Sequence, residues 1–483
     1  MTELHYRSAT DLAALVATKE VGCLELLDHF LARVERHNPA LNAIIWLDPS
    51  AARARARAAD QALAAGQSWG PLHGLPMTIK ESYQLAGSPI TWGRPEFANT
   101  VTETTALAIQ RLIDAGAVIF GKTNVPIHLA DWQSYNNIYG TTNNPWDKAL
   151  SPGGSSGGAA AALAAGLTGL EAGSDIGSSI RNPAHFCGVF GLKPTFGVIP
   201  IRGQALPGVF SVPDISVVGP LTRGAEDLDL ALDVMAGPDV FDDTCWRLDL
   251  PAAPRARLAD FRIAVKWDDP CSEVDGAVAD CLHRFVDKLV QAGARVVEAE
   301  PAVDTRRLHE IYILLLRAAT SRRVSDDEVA HWRTVAAALD PADQSYAARM
   351  ARGQTLPHRD WLGLDNERQQ LRFAFEEFFR DTDILLCPAA ATAAVPHDHA
   401  GQRHERTVLV NGRPVLTTDQ LFWAGYSGVV FLPSTVGPAG FTAGGLPVGY
   451  QAIAGHGRDR TATQFTRLVA REIQDFEPPP GYD

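Results

Sequence analysis

Apolar residues along the first half of the chain alternate between two periods. After Ser8, whose hydroxyl can cap a helix carrying Asp11 in its first turn, Leu12, Leu15 and Val16 recur at helical spacing. Leu24, Leu27, Leu31 and Val34 form one face of a second helix over 24–36. That helix is expected to stop before Asn38-Pro39, because the residue preceding proline disfavours helical φ/ψ. Residues 41–46 read as a strand, followed by an alanine-arginine helix to about Ala65. Next come a short strand at Pro76–Lys80, a helix over 103–115, a buried strand over 117–121 and a close-packed helix over 159–165 opened by glycine. The rhythm returns from about Asp260, with a strand over 261–265, a helix over 276–291 and a strand over 294–299.

Alternation of this type predicts an α/β fold, a parallel or mixed central sheet covered by helices on both faces. Residues 305–381 are more charged and mostly helical, which suggests a cap inserted at roughly 305–400 within a single domain spanning 1–483. A hairpin is expected at 408–415, where Asn411-Gly412 suits a two-residue turn.

Charge narrows the partners. With 43 basic and 56 acidic side chains the net charge is −13, which opposes nucleic acid and anionic membrane, both polyanions. Arg53, Arg55 and Arg57 read as a solvated helix face. The six cysteines are scattered without a CxxC pair, so neither a zinc site nor a disulfide scaffold is expected, and a reduced, cytoplasmic setting is the simplest. The opening residues MTELHYRSATD have no apolar core behind their charges, so no signal peptide is expected. No apolar run approaches the roughly 20 residues of a membrane span. His397, Asp398, His399 and His404 lie in a polar loop beside Pro396, where no metal site is expected.

The densest chemistry lies at 151–195, where paired serines flanked by glycines occur as Gly153-Gly154-Ser155-Ser156-Gly157-Gly158 and as Gly177-Ser178-Ser179. Glycine admits positive φ and close approach of backbone to a ligand. A serine hydroxyl needs a base to act as nucleophile, and donors for the oxyanion that develops. Two candidate bases are His185 and Lys80, the latter ending the apolar strand Gly74-Leu75-Pro76-Met77-Thr78-Ile79-Lys80. A lysine drawn out of water has a depressed pKa and can serve as a neutral amine, whereas a strand-end lysine can equally reach solvent. Gly153-x-Ser155-x-Gly157 also matches a nucleophile elbow, but the turn-like Asn144-Pro145-Trp146-Asp147 and Ser151-Pro152 stand where a strand should precede the serine.

The combined pattern resembles the amidase signature family. The matching residues are Lys80 in GLPMTIKE, Gly121-Lys122-Thr123-Asn124, Thr142 to Trp146, Gly153 to Gly158, Gly173 to Arg181, Pro183-Ala184, Phe186-Cys187-Gly188, Gly191 to Thr195, and Gly445 to Gln451. They span most of the chain in the expected order. The resemblance implies the family's mixed sheet flanked by helices and a Ser–cis-Ser–Lys triad. Ser179 then matches the nucleophile, Ser155 the relay serine joined to Gly154 by a cis peptide, and Lys80 the base. Backbone N–H groups of Ile176, Gly177, Ser178 and Ser179 are expected to form the oxyanion hole. Ser156, Ser174, Asp175 and Arg181 are expected to support the site, the last two as a charge pair, and Cys187 reads as a small buried hydrophobe.

The implied activity is hydrolysis of carboxylic amides through an acyl-enzyme, without metal or cofactor. A carbamate or ester hydrolase with the same triad is one alternative, and a glutaminase subunit of a tRNA amidotransferase another. Three positions depart from the family pattern: Ser178 stands where glycine is usual, Ser174 replaces threonine and Glu81 replaces aspartate. The segment 127–139, with Leu129, Ala130, Trp132, Tyr135 and Tyr139, is expected to line the acyl pocket, helped by the cap and Phe422-Trp423. A small amide, or a carbamate or ester, is the expected partner, with no nucleic acid and no membrane; a homodimer is left open, and the amidotransferase alternative would add a partner subunit.

Overall fold

The computed structural model describes residues 3–483. Its centre is an eight-stranded mixed sheet. The spatial order is Arg295–Glu298, Arg262–Val265, Ile384–Pro388, Pro447–Ile453, Ser434–Phe441, Phe190–Lys193, Val217–Thr222 and Glu171–Asp175. The first three strands run parallel and every later pairing is antiparallel. Helices pack on both faces, as the alternating pattern predicts.

The strand that carries Lys80 lies outside this sheet. Pro76–Lys80 pairs in parallel with Val118–Thr123, which pairs antiparallel with Ile44–Leu47, making a separate three-stranded sheet. Side-chain bonds join it to the edge of the large sheet: the Thr78 hydroxyl donates to the Glu171 carboxyl at 2.5 Å, and Tyr83 Oη donates to the Gly173 carbonyl at 2.6 Å. This junction places the Lys80 strand beside Glu171–Asp175, which leads into the second serine pair.

Local chemistry sets the element ends. Ser8 Oγ accepts from the Asp11 N–H at 3.1 Å and opens the helix Ala9–Ala17. The helix Cys23–Leu41 runs through Pro39, beyond the expected stop. Proline in a last turn removes only one N–H. Asn38 compensates by accepting from the N–H groups of Ala43 and Ile44, each at 2.9 Å, while Asn42 ends the helix at φ 51°. The helix expected over 103–115 is confined to Leu107–Asp114, because Gln84 holds the preceding turn, its carbonyl accepting from the Ala106 N–H at 2.9 Å. Arg55 is also not a solvated side chain: its guanidinium donates to the carbonyls of Ala117 at 2.8 Å and Ile113 at 2.5 Å. The hairpin forms at Thr407–Val410 and Arg413–Leu416, with positive φ at both Asn411 and Gly412.

The helix Gly157–Ala164 is buried on every side, so small residues are required all round it. At Gly158 a Cβ would lie 2.4 Å from the Asn124 nitrogen and 2.7 Å from the Ala43 carbonyl oxygen. Rigid backbone occupies that space, so alanine's usual advantage in a helix is overridden.

The region expected to be a cap divides in two. Thr305–Thr320 is a core helix, with Leu308, Ile311, Tyr312, Ile313 and Leu315 buried in the same cluster as Ile384, Leu385 and Leu386 of the central sheet. Because Ile384–Pro388 is a central strand, an insertion cannot extend to residue 400. The helices Asp326–Ala338 and Tyr346–Gln354 remain outside the sheet. Among the described residues no helix is long and apolar enough to cross a membrane.

Candidate active site

Two glycine-serine segments meet at the end of the Pro76–Lys80 strand. Lys80 is fully buried, and its Nζ lies 2.7 Å from Ser155 Oγ, 2.9 Å from Ser156 Oγ and 3.0 Å from Ser174 Oγ. The peptide bond between Gly154 and Ser155 is cis. No carboxylate pairs with the amine among the described residues. Burial lowers the Lys80 pKa to about 7, with the more distant Asp175 charge opposing the shift and Arg323 adding to it. Near neutrality the amine is therefore poised between its two protonation states.

Ser179 sits beyond Ser155 on the turn that follows Glu171–Asp175. Its carbonyl accepts from the Ser156 N–H at 3.1 Å, which ties the two serine segments together. No hydrogen bond joins the Ser155 and Ser179 hydroxyls among the described residues.

Asp175 and Arg181 fix the turn. Arg181 Nη2 donates to Asp175 Oδ1 at 2.8 Å and Nε donates to Oδ2 at 3.0 Å, both side chains being buried. The same carboxylate accepts from the N–H groups of Ser178 at 2.9 Å and Ile180 at 3.0 Å. Burial raises the Asp175 pKa, but Arg181 and these donors outweigh it and hold the pKa at about 2. Arg181 Nη1 reaches on to Ala424 O, Ser427 Oγ and Gln451 Oε1, so the loop is anchored to the far side of the core.

This anchoring corrects one expectation. The Ser178 N–H belongs to Asp175 and is not free for an oxyanion, whereas those of Ile176, Gly177 and Ser179 have no protein partner among the described residues. Two side chains hold the carbonyls of that turn: Trp132 Nε1 donates to Gly177 O at 2.7 Å, and Tyr312 Oη donates to Ile176 O at 3.0 Å.

Ser178 itself has φ 73°, a left-handed conformation that suits glycine, and its buried hydroxyl lacks a partner. Both features are unfavourable, by about 1 kcal/mol or more each. Ser178→Gly removes both while adding unfolded-chain entropy, and is expected to stabilise the fold by about 1 kcal/mol. A denaturant midpoint at or below that of the parent chain contradicts this.

His185, the other candidate base, is committed elsewhere. Its Nδ1 accepts from the Gly449 N–H at 2.7 Å, Nε2 lies 2.9 Å from the Thr392 carbonyl, and burial lowers its pKa. Cys187 is buried, its thiol pushed up by the same effect. Glu81 makes no bond to the amine among the described residues and accepts from the Thr91 hydroxyl at 2.8 Å and the Trp92 N–H at 3.0 Å, holding that turn.

A cavity of about 440 Å³ opens onto Ser179, Ile176 and Gly177. Leu129, Ala130, Trp132 and Tyr135 line it, as do Trp332 and Tyr346 from the outer helices. Tyr139 is not on its wall, and its carbonyl accepts from Asn42. Phe422 and Trp423 are likewise absent, being fully buried in the core. Among the described residues no three His, Cys, Asp or Glu side chains gather to hold a metal. His399 instead stacks on Tyr135 with ring centroids 3.6 Å apart.

The profile of the amidase family matches residues 25–462. This chain belongs to the amidase family. An acylamidase of Rhodococcus erythropolis is 35% identical to it over 485 residues, covering 96% of each chain. One component of the glutamyl-tRNA(Gln) amidotransferase of Chloroflexus aurantiacus is 31% identical over 471 residues, covering 94% of each. A crystal structure of an amidase superposes with a TM-score of 0.79 at 26% identity, covering 96% of this chain and 99% of its own.

Two residues of this amidase's site escape sequence reasoning. Gln204 Nε2 donates to Ser174 Oγ at 3.1 Å and Ser82 Oγ at 3.0 Å, orienting the hydroxyl that faces Lys80. Tyr312 lies in a helical stretch whose spacing marks it only as core. No local pattern flags either residue, because each acts across a long sequence separation.

Proposed function

We propose that this amidase hydrolyses linear carboxylic amides through an acyl-enzyme on Ser179, with Ser155 as proton relay and Lys80 as base. The observation that carries this reading is the Lys80 amine, buried among three hydroxyls and 2.7 Å from Ser155 Oγ. Its hydrogen bonds favour one direction of proton flow. Ser174 Oγ already accepts from Gln204, and Ser156 Oγ donates to the Ser174 carbonyl at 3.5 Å. A neutral amine has two protons, which these two hydroxyls accept, and the remaining lone pair faces the Ser155 proton.

Lys80 takes the Ser155 proton as Ser155 takes that of Ser179, and Ser179 Oγ attacks the amide carbon. The N–H groups of Ile176, Gly177 and Ser179 receive the oxyanion. Reversal of the relay delivers the proton to the departing amine, and water then releases the carboxylate by the same path. Base, nucleophile and oxyanion donors are all protein groups, so the relay requires no cofactor.

The helices Asp326–Ala338 and Tyr346–Gln354 act as the cap, closing the acyl cavity with Trp332, Tyr346 and Met350. The 35% identity to an acylamidase supports turnover of acyl amides by the chain alone, whereas a glutaminase component would need a partner. Carbamates and esters pass through the same tetrahedral intermediate and are expected as secondary substrates. All six cysteines are unpaired, which suits a reducing, cytoplasmic setting.

A fluorophosphonate tests the assignment directly. Mass spectrometry is expected to find one adduct, on Ser179, with activity lost in proportion to labelling. An adduct on another serine, or full activity after labelling, refutes it.

A further inference from the structure

The acyl cavity carries an unbalanced charge. Four guanidinium groups line it, from Arg317, Arg323, Arg403 and Arg406, against the carboxylates of Asp131 and Glu328. Neither carboxylate is free. Asp131 pairs with Arg406 at 2.6 Å, and Glu328 turns back to accept from the Ser325 N–H at 2.7 Å at its own helix start. Burial lowers the pKa of both His128 and His404, so neither adds positive charge at neutral pH. Arg403 is occupied in part by the Ala130 carbonyl at 2.6 Å, and Arg323 by the His128 carbonyl at 3.0 Å.

Arg317 is different. It projects from the core helix Thr305–Thr320 and lies over the Tyr346 ring at 5.6 Å. Its guanidinium donates to no acceptor and pairs with no carboxylate among the described residues, and its Nε is sealed from solvent without a partner. A half-buried guanidinium left in this state is unfavourable unless something supplies the acceptor. Tyr346 presents its ring face to the guanidinium, and its hydroxyl accepts no hydrogen bond from Arg317 among the described residues. The planar fork of an arginine is matched by the two oxygens of a carboxylate.

We propose that Arg317 is a specificity residue that receives a carboxylate at the far end of the acyl chain, so that the preferred substrate is a monoamide of a dicarboxylic acid. This rests on the Ser179 reading above, because it requires the acyl group to lie in the same cavity. Ser179 and Arg317 line the same cavity of about 440 Å³, and Arg403 and Arg323 on its wall add to the field at the anion.

The test compares the mono-4-nitroanilides of succinic, glutaric and adipic acid with anilides of matched length that end in an uncharged isopropyl group. For at least one length, kcat/KM is expected to favour the carboxylate by about 10- to 100-fold. Arg317→Met is expected to abolish that ratio, through KM more than kcat, and Arg317→Lys to restore part of it. Arg317→Gln serves as a second neutral variant if the methionine form does not fold. A preference of the parent enzyme for the isopropyl chain at all three lengths overturns the inference without any variant. So does a ratio that survives Arg317→Met or Arg317→Gln, which places the anion elsewhere. Turnover of none of the six by an enzyme whose Ser179 still takes the fluorophosphonate also counts against it, leaving the catalytic reading intact. Failure of Ser179 to label removes that reading instead.

Discussion

Ser179→Ala is expected to lower kcat on an aryl amide by about 10⁴- to 10⁶-fold, with the protein still folded and substrate still bound. The magnitude follows from the loss of the covalent step, since members of a nucleophilic relay act as a unit and removing one forfeits most of the rate. Ser155→Ala is expected to be nearly as severe, because Lys80 has no other route to the nucleophile. The effects do not add, so the double variant should be little worse than Ser179→Ala alone. The Ser179 hydroxyl makes no hydrogen bond to another side chain among the described residues, so its loss leaves no buried group newly unsatisfied. Stability should therefore stay within about 1 kcal/mol of the parent. Single-turnover kinetics with mass spectrometry read the result: the parent accumulates an acyl adduct and the variant does not. An alanine variant retaining a tenth of the parent rate contradicts the assignment of Ser179 as nucleophile.

The second large effect is in pH. As the proposed base, Lys80 would act only as the neutral amine, and burial brings its pKa down to about 7. The logarithm of kcat/KM is therefore expected to rise with unit slope below about pH 7 and to level off above it, because kcat/KM reports the free enzyme. The sign is fixed: protonation of Lys80 at low pH fills the lone pair that must accept the Ser155 proton. Glu171 also titrates near neutrality, burial pushing its pKa up to about 8. Glu171→Gln separates the two: a midpoint set by Lys80 should persist and move slightly to lower pH, because the Glu171 charge raises the Lys80 pKa, whereas Lys80→Ala should flatten the profile at a rate about 10²- to 10⁴-fold lower. Lys80→Arg cannot rescue, since a guanidinium stays protonated throughout the accessible range. A midpoint near 10 would show that Lys80 remains an ordinary cation and cannot be the base at neutral pH.

Much of the candidate site was legible in the sequence. Lys80, Ser155 and Ser179 stand in motifs that the family resemblance singles out, and the structure brings the lysine to Ser155 across 75 positions. Asp175 and Arg181, read as a charge pair, form one with further bonds on both sides. Where expectation failed, the cause was a partner outside the local pattern. The helix stop at Pro39 was overruled by the Asn38 side chain, and the helix start near 103 by Gln84. Arg55 looked solvated until the carbonyls of Ala117 and Ile113 came within reach of its guanidinium. Phe422 and Trp423 looked like pocket walls because aromatic residues serve cores and pockets alike, and only packing distinguishes the two.

The sequence by itself determined the class of fold, because periodicity encodes helices and strands, and it offered the candidate reactive groups, whose roles came from the family resemblance rather than from spacing. Tertiary structure decided the rest. It alone put Lys80 on a separate three-stranded sheet and sealed it from solvent, the physical cause of its lowered pKa. It also gave the Ser178 N–H to Asp175, withdrawing it from the proposed oxyanion hole, and left Arg317 on the wall of the cavity beside Ser179 without an acceptor. Burial, hydrogen-bond allocation and charge balance are properties of neighbours in space, and no local pattern along a chain specifies them.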